Sequence, residues 1–92
     1  MTSRSVMVAN RLGLHARAAA RFVHLASGFQ SQIRVARGTT TMDGKSIMGI
    51  LLLAATAGTP LTVSADGDDE HEAIEVLCAF IETGFGEDAC SA

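Results

Sequence analysis

Residues 32–37 read Gln32-Ile33-Arg34-Val35-Ala36-Arg37, a segment in which polar and apolar side chains alternate. Alternation indicates a half-buried strand, because successive side chains of a strand point to opposite faces of the sheet. Gly38 marks a turn, and Thr39–Met42 forms a second strand candidate that Asp43-Gly44 closes. The pattern predicts strands with one solvated face, which is typical of antiparallel sheets.

Two further strands are indicated on either side of this segment. Ser5–Val8 is a short run with β propensity, and Leu61–Ala65 alternates in the same way.

Two longer segments have the 3.6-residue period of amphipathic helices. The first begins at Ala16 and is expected to end at Gly28, because glycine is common at the position just after a helix. The last begins after Asp69, whose spacing to Glu72 resembles a capping box, and ends at Gly84. The apolar positions that define the two stripes are Ala19, Phe22, Val23 and Ala26, then Ile74, Leu77, Cys78 and Ile81.

Between them lies a compact apolar segment after Ser46. Ser is a preferred N-cap, so a short helix from Ile47 to about Ala54 is expected, although a buried strand also fits such a run. The resulting order is βαββαβα. It predicts an α+β domain, an antiparallel sheet with helices on one face. Residues 1–88 are assigned to this single domain and 89–92 to a short flexible tail.

Composition excludes several classes of protein. With 7 basic and 10 acidic residues the formal charge is −3, and Trp and Tyr are absent, so no nucleic-acid partner is expected. The longest apolar run, Ile47–Gly58, is too short for membrane insertion, since a span needs about 20 residues. We expect Cys78 in the core and Cys90 as a thiol of the tail. Two such cysteines make no disulfide framework, so we expect a cytoplasmic protein. His24 and His71 are expected on the surface, and we predict neither a metal site nor a cofactor.

The chemistry is concentrated in Gly13-Leu14-His15-Ala16-Arg17. His15 precedes a helix whose first-turn backbone N–H groups, including those of Ala16 and Arg17, are expected to be free and to form an anion site. Arg17 adds a guanidinium suited to phosphate oxygens, and a neutral imidazole is a nucleophile. The combination favours a phosphoryl group carried on His15. A solvated pre-helical His15 and a solvated Arg17 fit the same spacing.

The segment Asn10-Arg11-Leu12-Gly13-Leu14-His15-Ala16-Arg17 resembles the active-site motif of HPr, the histidine-containing phosphocarrier of the bacterial phosphotransferase system. The likeness runs from about Val6 to Phe85. It implies an open-faced β-sandwich with four antiparallel strands and three helices. It also implies phosphorylation of His15 at Nδ1 with support from Arg17, enzyme I as donor and an enzyme IIA as acceptor. Such a protein is a stoichiometric carrier in sugar transport, not an enzyme.

One residue of the motif departs from the family, which usually has Pro where this chain has Ala18. Ala is an excellent helix former, so the helix is expected to persist without the rigidity of Pro.

A second segment, Gly44-Lys45-Ser46-Ile47-Met48-Gly49, is similar to the family's regulatory segment. The resemblance implies possible phosphorylation of Ser46 by HPr kinase/phosphorylase. Ile47, Met48, Leu51 and Leu52 cannot all face inward on a short helix, so we expect an exposed apolar patch. The resemblance implies that enzyme I and enzyme IIA dock there; core packing is the other interpretation.

Two alternatives remain open at this point. Leu51–Ala54 and Gly84–Asp88 look closer to the nitrogen-related NPr branch, which regulates partners by its phosphorylation state, whereas Gly44–Gly49 looks closer to sugar-transport HPr. A small-ligand-binding α+β domain that uses no phosphate is a third hypothesis. A monomer is expected in each case.

Overall fold

The alternating segments become one sheet in a computed structural model, which describes residues 1–86. The strands are β1 (Thr2–Met7), β2 (Gln32–Arg37), β3 (Thr40–Asp43) and β4 (Pro60–Asp66), and the helices are α1 (Ala16–Ala26), α2 (Ile47–Leu52) and α3 (Glu70–Glu82). All paired strands are antiparallel, in the order β1-β4-β2-β3. The predicted α+β open-faced sandwich and its element order are confirmed. The domain boundary at residue 88, the tail 89–92 and Cys90 lie outside the described residues.

The register of the sheet separates a buried face from a solvated one. Val6 lies opposite Leu61, and Val35 lies opposite Val63, and all four side chains are buried under the helices. The neighbouring positions carry small or polar side chains, such as Ser5, which lies opposite Thr62. One face of the sheet therefore packs against helices, and the other stays open, as alternation predicts.

The helices supply the other half of the core. Phe22 of α1 is fully buried, and so are Leu77 and Cys78 of α3, which confirms the predicted stripes. Phe85, just beyond α3, is also fully buried, and its ring meets that of Phe22 edge to face with centroids 6.4 Å apart. The sequence pattern did not predict a core role for Phe85.

Two predicted helix ends differ from expectation. Gly28 follows the end of α1, but it does not have the positive φ of a glycine cap; Ser27, still helical in conformation, ends the helix. Asp69 occupies the N-cap position of α3 but makes no capping bond within the helix, so the predicted capping box is wrong. Its carboxylate instead accepts bonds from the backbone amides of Gln30 and Ser31 and from the Ser31 hydroxyl. The preference of a carboxylate for three donors in a neighbouring loop overrides the local pattern.

The middle segment is a helix, not a buried strand, and Ser46 caps it by accepting a bond from the Gly49 amide at 3.1 Å. This helix, α2, ends at Leu52, before the predicted Ala54, because Ala54 has a left-handed φ of 51°. Arg37 satisfies the exposed end by donating to the carbonyl oxygens of Leu53 (2.8 Å) and Ala54 (3.2 Å). Within residues 1–86, no helix has the length and apolar character that crossing a membrane requires.

Candidate functional site

The loop before α1 is shaped by reciprocal bonds between Asn10 and Gly13. The Gly13 amide donates to the Asn10 carbonyl oxygen at 3.2 Å, and the Asn10 side-chain amide donates to the Gly13 carbonyl oxygen at 2.8 Å. Gly13 has a φ of +66°, and a Cβ there would lie 2.3 Å from the Ala55 carbonyl oxygen. Only glycine fits both the conformation and the space, so the chain must turn closely past residue 55 here.

The next two residues fix where His15 stands. Leu14 is buried, and its amide donates to the Ala55 carbonyl oxygen at 2.9 Å. The His15 amide turns back to the Gly13 carbonyl oxygen at 3.0 Å. His15 then takes the N-cap position of α1 with extended backbone angles, and its side chain is half-buried.

The imidazole of His15 caps the helix through its Nδ1 atom, which accepts a bond from the Arg17 amide at 3.2 Å. The expectation that the Arg17 N–H is free is therefore wrong, because the N-cap side chain takes that donor, as N-cap side chains do. The other first-turn amides, those of Ala16 and Ala18, have no acceptor one turn earlier within α1. Ala18 is buried inside a regular α1, so the helix persists at this position without proline.

This geometry has a chemical consequence at His15. An Nδ1 that accepts a hydrogen bond carries a lone pair, so the neutral ring holds its proton on Nε2. The first turn of α1 contains no acidic residue, and Arg17 is exposed beside it. The N-terminal end of a helix carries a partial positive charge, so the surroundings of Nδ1 favour an anion. The site therefore places an acceptor nitrogen at a helix N-terminus, with the exposed Arg17 two residues further along the chain.

The second predicted segment lies on α2. Three of the four residues predicted to form the apolar patch are exposed: Ile47 by 45%, Met48 by 68% and Leu52 by 62%. Leu51 is half-buried and packs against the core, so the interpretation as core fits this residue. Because α2 packs against α1, the exposed residues and His15 belong to neighbouring elements. An exposed apolar group of this kind is typical of a partner surface.

The two remaining histidines lie on α1 and α3. His24 and His71 are exposed, as predicted. In the part of the chain that the structure describes, no three His, Cys, Asp or Glu side chains come together as a metal site would need.

Comparison with known proteins agrees with this geometry. Residues 2–83 match the sequence model of a family described as PTS HPr component phosphorylation site. The chain belongs to the HPr family. A phosphocarrier protein HPr of Cupriavidus necator is 46% identical over 87 residues, which cover 95% of this chain and 98% of the relative.

Solved HPr structures have the same fold. The crystal structure of HPr-C-His from Thermoanaerobacter tengcongensis superposes with a TM-score of 0.90 at 46% identity, covering 96% of this chain and 99% of that one. An HPr dimer from the same organism gives a TM-score of 0.74 at 47% identity, covering 95% of this chain and 100% of that one.

Sequence reasoning singled out His15 and Arg17 but missed two supports of the HPr site. The Ala55 carbonyl oxygen carries no sequence signal, because it acts through the backbone. Asn10 does carry one, since Asn is favoured at the first position of a turn that leads to a glycine.

Proposed function

We propose that this HPr-family chain is a phosphocarrier of the phosphoenolpyruvate-dependent phosphotransferase system. It accepts a phosphoryl group on Nδ1 of His15 from phosphorylated enzyme I and passes it to an enzyme IIA. The observation that carries the proposal is the Arg17 amide bond to Nδ1, because it leaves that nitrogen unprotonated beside donors for an anion. Membership of the HPr family supports the same chemistry.

The transfer balances at a single nitrogen. The Nδ1 lone pair forms the N–P bond while the bond from phosphorus to the donor breaks, and the donor leaves with that electron pair. The Arg17 amide then exchanges its ring acceptor for a phosphate oxygen. The Ala16 and Ala18 amides and the Arg17 guanidinium supply further donors.

The strength of these contacts fits a transient intermediate. A helix N-terminus contributes about 0.3–1 kcal/mol, and up to about 2 kcal/mol when partly buried. A hydrogen bond from a charged group contributes about 1.5–3 kcal/mol. Together they orient a phosphate without trapping it. We propose that the chain is a stoichiometric carrier and not an enzyme, so rate acceleration comes from the partner proteins.

The partner surface follows from the same proposal. We place the docking of enzyme I and enzyme IIA on the α2 residues Ile47, Met48, Leu51 and Leu52. Phosphorylation of Ser46 by an HPr kinase/phosphorylase would add about two negative charges at the edge of this surface. A phosphate is tolerated at a helix N-terminus, so the modification would change docking without unfolding α2.

The remaining assignments are part of the proposal. We assign a cytoplasmic monomer without a cofactor, metal or nucleic-acid partner, in keeping with the acidic composition. The Cupriavidus necator relative is named phosphocarrier protein HPr, which favours HPr over the nitrogen-related NPr branch.

The test is phosphoryl loading of the purified protein with enzyme I and radiolabelled phosphoenolpyruvate. The wild type should take up acid-labile label, and His15→Ala should take up none. His24→Ala is the matched control, because His24 is an exposed histidine at the other end of α1, and it should load like the wild type. Equal labelling of the His15→Ala variant would contradict the proposal.

A further inference from the structure

We propose that Asn10 is a positioning residue for His15, a role that rests on the proposed phosphoryl transfer. Asn10 acts through the peptide group that joins Gly13 to Leu14, from which the chain continues directly into His15.

That peptide group is held at both of its polar ends. Its carbonyl oxygen, on Gly13, accepts a bond from the Asn10 side-chain amide at 2.8 Å. Its N–H, on Leu14, donates to the Ala55 carbonyl oxygen at 2.9 Å. Because a peptide group is planar, two bonds at opposite ends fix its rotation about the chain.

The same carbonyl oxygen also receives the His15 amide at 3.0 Å. The backbone of His15 is therefore tied directly to the oxygen that Asn10 holds. The His15 imidazole must keep its position relative to the Arg17 amide for Nδ1 to remain the acceptor. Asn10, the Gly13 oxygen, the His15 backbone and the ring nitrogen form one continuous series of contacts.

Burial makes the Asn10 bond effective. The Asn10 side chain is only 9% exposed, so water does not compete for its amide protons as it would at the surface. Without this bond the Gly13 carbonyl oxygen would be held only by the amide of His15, which is the residue to be positioned. Misplacement of a reacting group by about 1 Å can cost about 100-fold in rate.

The experiment compares Asn10→Ala with two other variants. Asn10→Asp keeps the shape of the side chain but, as a carboxylate, offers no donor to the Gly13 oxygen. Ser31→Ala is the matched control, because it also removes a buried polar side chain that makes a bond between distant elements, at Asp69 and away from His15. All variants are first checked for folding by circular dichroism.

Two readouts are measured on each protein. The first is the initial rate of label transfer from phosphorylated enzyme I. The second is the ¹⁵N spectrum of the His15 ring, which gives the fraction of neutral imidazole with its proton on Nε2. We expect Asn10→Ala and Asn10→Asp to transfer at least about tenfold more slowly, with less of the Nε2-protonated form. Ser31→Ala should match the wild type in both.

The outcomes separate this inference from the function on which it rests. If the wild type takes up no label, the proposed function fails, and the ring spectrum alone decides whether Asn10 controls His15. Wild-type rate and spectrum in Asn10→Ala would overturn the inference, and so would a changed spectrum without a changed rate. An equal slowing of Ser31→Ala would overturn it as well, because the effect would then be general destabilisation.

Discussion

Ala54 has a left-handed backbone with a φ of 51°, which costs an L-residue about 1–2 kcal/mol. Two neighbours explain why the chain accepts this conformation. Arg37 binds the carbonyl oxygen of Ala54, and the adjacent Ala55 carbonyl oxygen must reach the Leu14 amide beside His15. The strained residue therefore lies between the end of α2 and Ala55, whose carbonyl oxygen holds the Leu14 amide.

Replacing this alanine should stabilise the protein. Ala54→Gly removes the strain of about 1–2 kcal/mol, while the added freedom of the unfolded chain costs about 0.4–1 kcal/mol. We expect the free energy of unfolding in urea to rise by about 0.5–1 kcal/mol as the balance of the two. Ala79→Gly, at an exposed position inside α3, should instead lose about 1 kcal/mol. A similar loss in both variants would show that Ala54 is unstrained.

Whether a residue's role could be predicted from the sequence depends on how far apart in the sequence its contacts are. The N-cap Ser46 and the position of His15 just before α1 were predictable, because each side chain accepts from an amide within one helical turn of itself. The bonds of Arg37 to the end of α2 and of Leu14 to Ala55 were not, because they join residues far apart in the sequence through backbone oxygens. Asn10 lies between these cases, since its own bond to Gly13 is local, whereas the peptide group that it contacts is held at the other end by the distant Ala55 carbonyl oxygen.

At the scale of elements, the start of α3 is joined to the loop between α1 and β2 by one carboxylate. The Ser31 hydroxyl and then the Gln30 amide, both donating to Asp69, hold the pKa of that carboxyl below its ordinary value. The Thr2 hydroxyl lowers the pKa of the next residue, Glu70, to about 2. The negative charge of Glu70 also suits the first turn of a helix.

Asp69 should therefore contribute stability that depends on pH. An unfolded aspartate takes up its proton near pH 3.9, whereas the folded one stays charged to lower pH, so its contribution is full above about pH 4. It is lost as the pH falls through the folded pKa. Asp69→Asn should be less stable than the wild type at pH 7, and the difference in unfolding free energy should shrink as the pH falls below about 4.

The measurement is urea unfolding at a series of pH values, with Asp68→Asn as the control. That variant removes the same charge one position earlier, where the side chain is exposed, and should stay close to wild type at pH 7. If the difference in unfolding free energy between Asp69→Asn and the wild type did not change with pH, the charge of the carboxylate would not matter, and packing would hold the loop.

The fold was predictable at this scale wherever the pattern was periodic. The strands and helices follow alternation and apolar stripes, which report burial directly. The ends of the helices were less predictable, because they depend on distant partners. The Asp69 carboxylate accepts bonds from the loop before β2 instead of capping α3, and α2 ends just before Ala54, which has a left-handed backbone. After α3, Gly84 ends the helix as predicted, with a φ of 87°, and Phe85 closes it by donating its amide to the Phe80 carbonyl oxygen at 2.9 Å.

Over the whole molecule, the formal charge of −3 conceals a separation of charge by helix. Helix α1 carries Arg17, Arg21 and His24 and no acidic residue, and α2 carries no charged residue. Helix α3 contains the acidic residues Glu70, Glu72, Glu75 and Glu82. A partner approaching His15 therefore meets a basic helix beside an apolar one, which favours an acidic surface with an apolar centre.

Met48 is the residue at which this surface is best tested. Under the proposed docking, Met48→Glu would bury an unpaired carboxylate against enzyme I, so kcat/KM for phosphoryl transfer should fall at least about tenfold through KM. The fold should be unaffected, because Met48 is 68% exposed. Met7→Glu is the matched control: Met7 is a 54% exposed methionine next to buried Val6 in β1, so its side chain points to the open face of the sheet. If both variants transfer like the wild type, α2 is not the docking surface; if both are impaired equally, added negative charge and not position explains the loss.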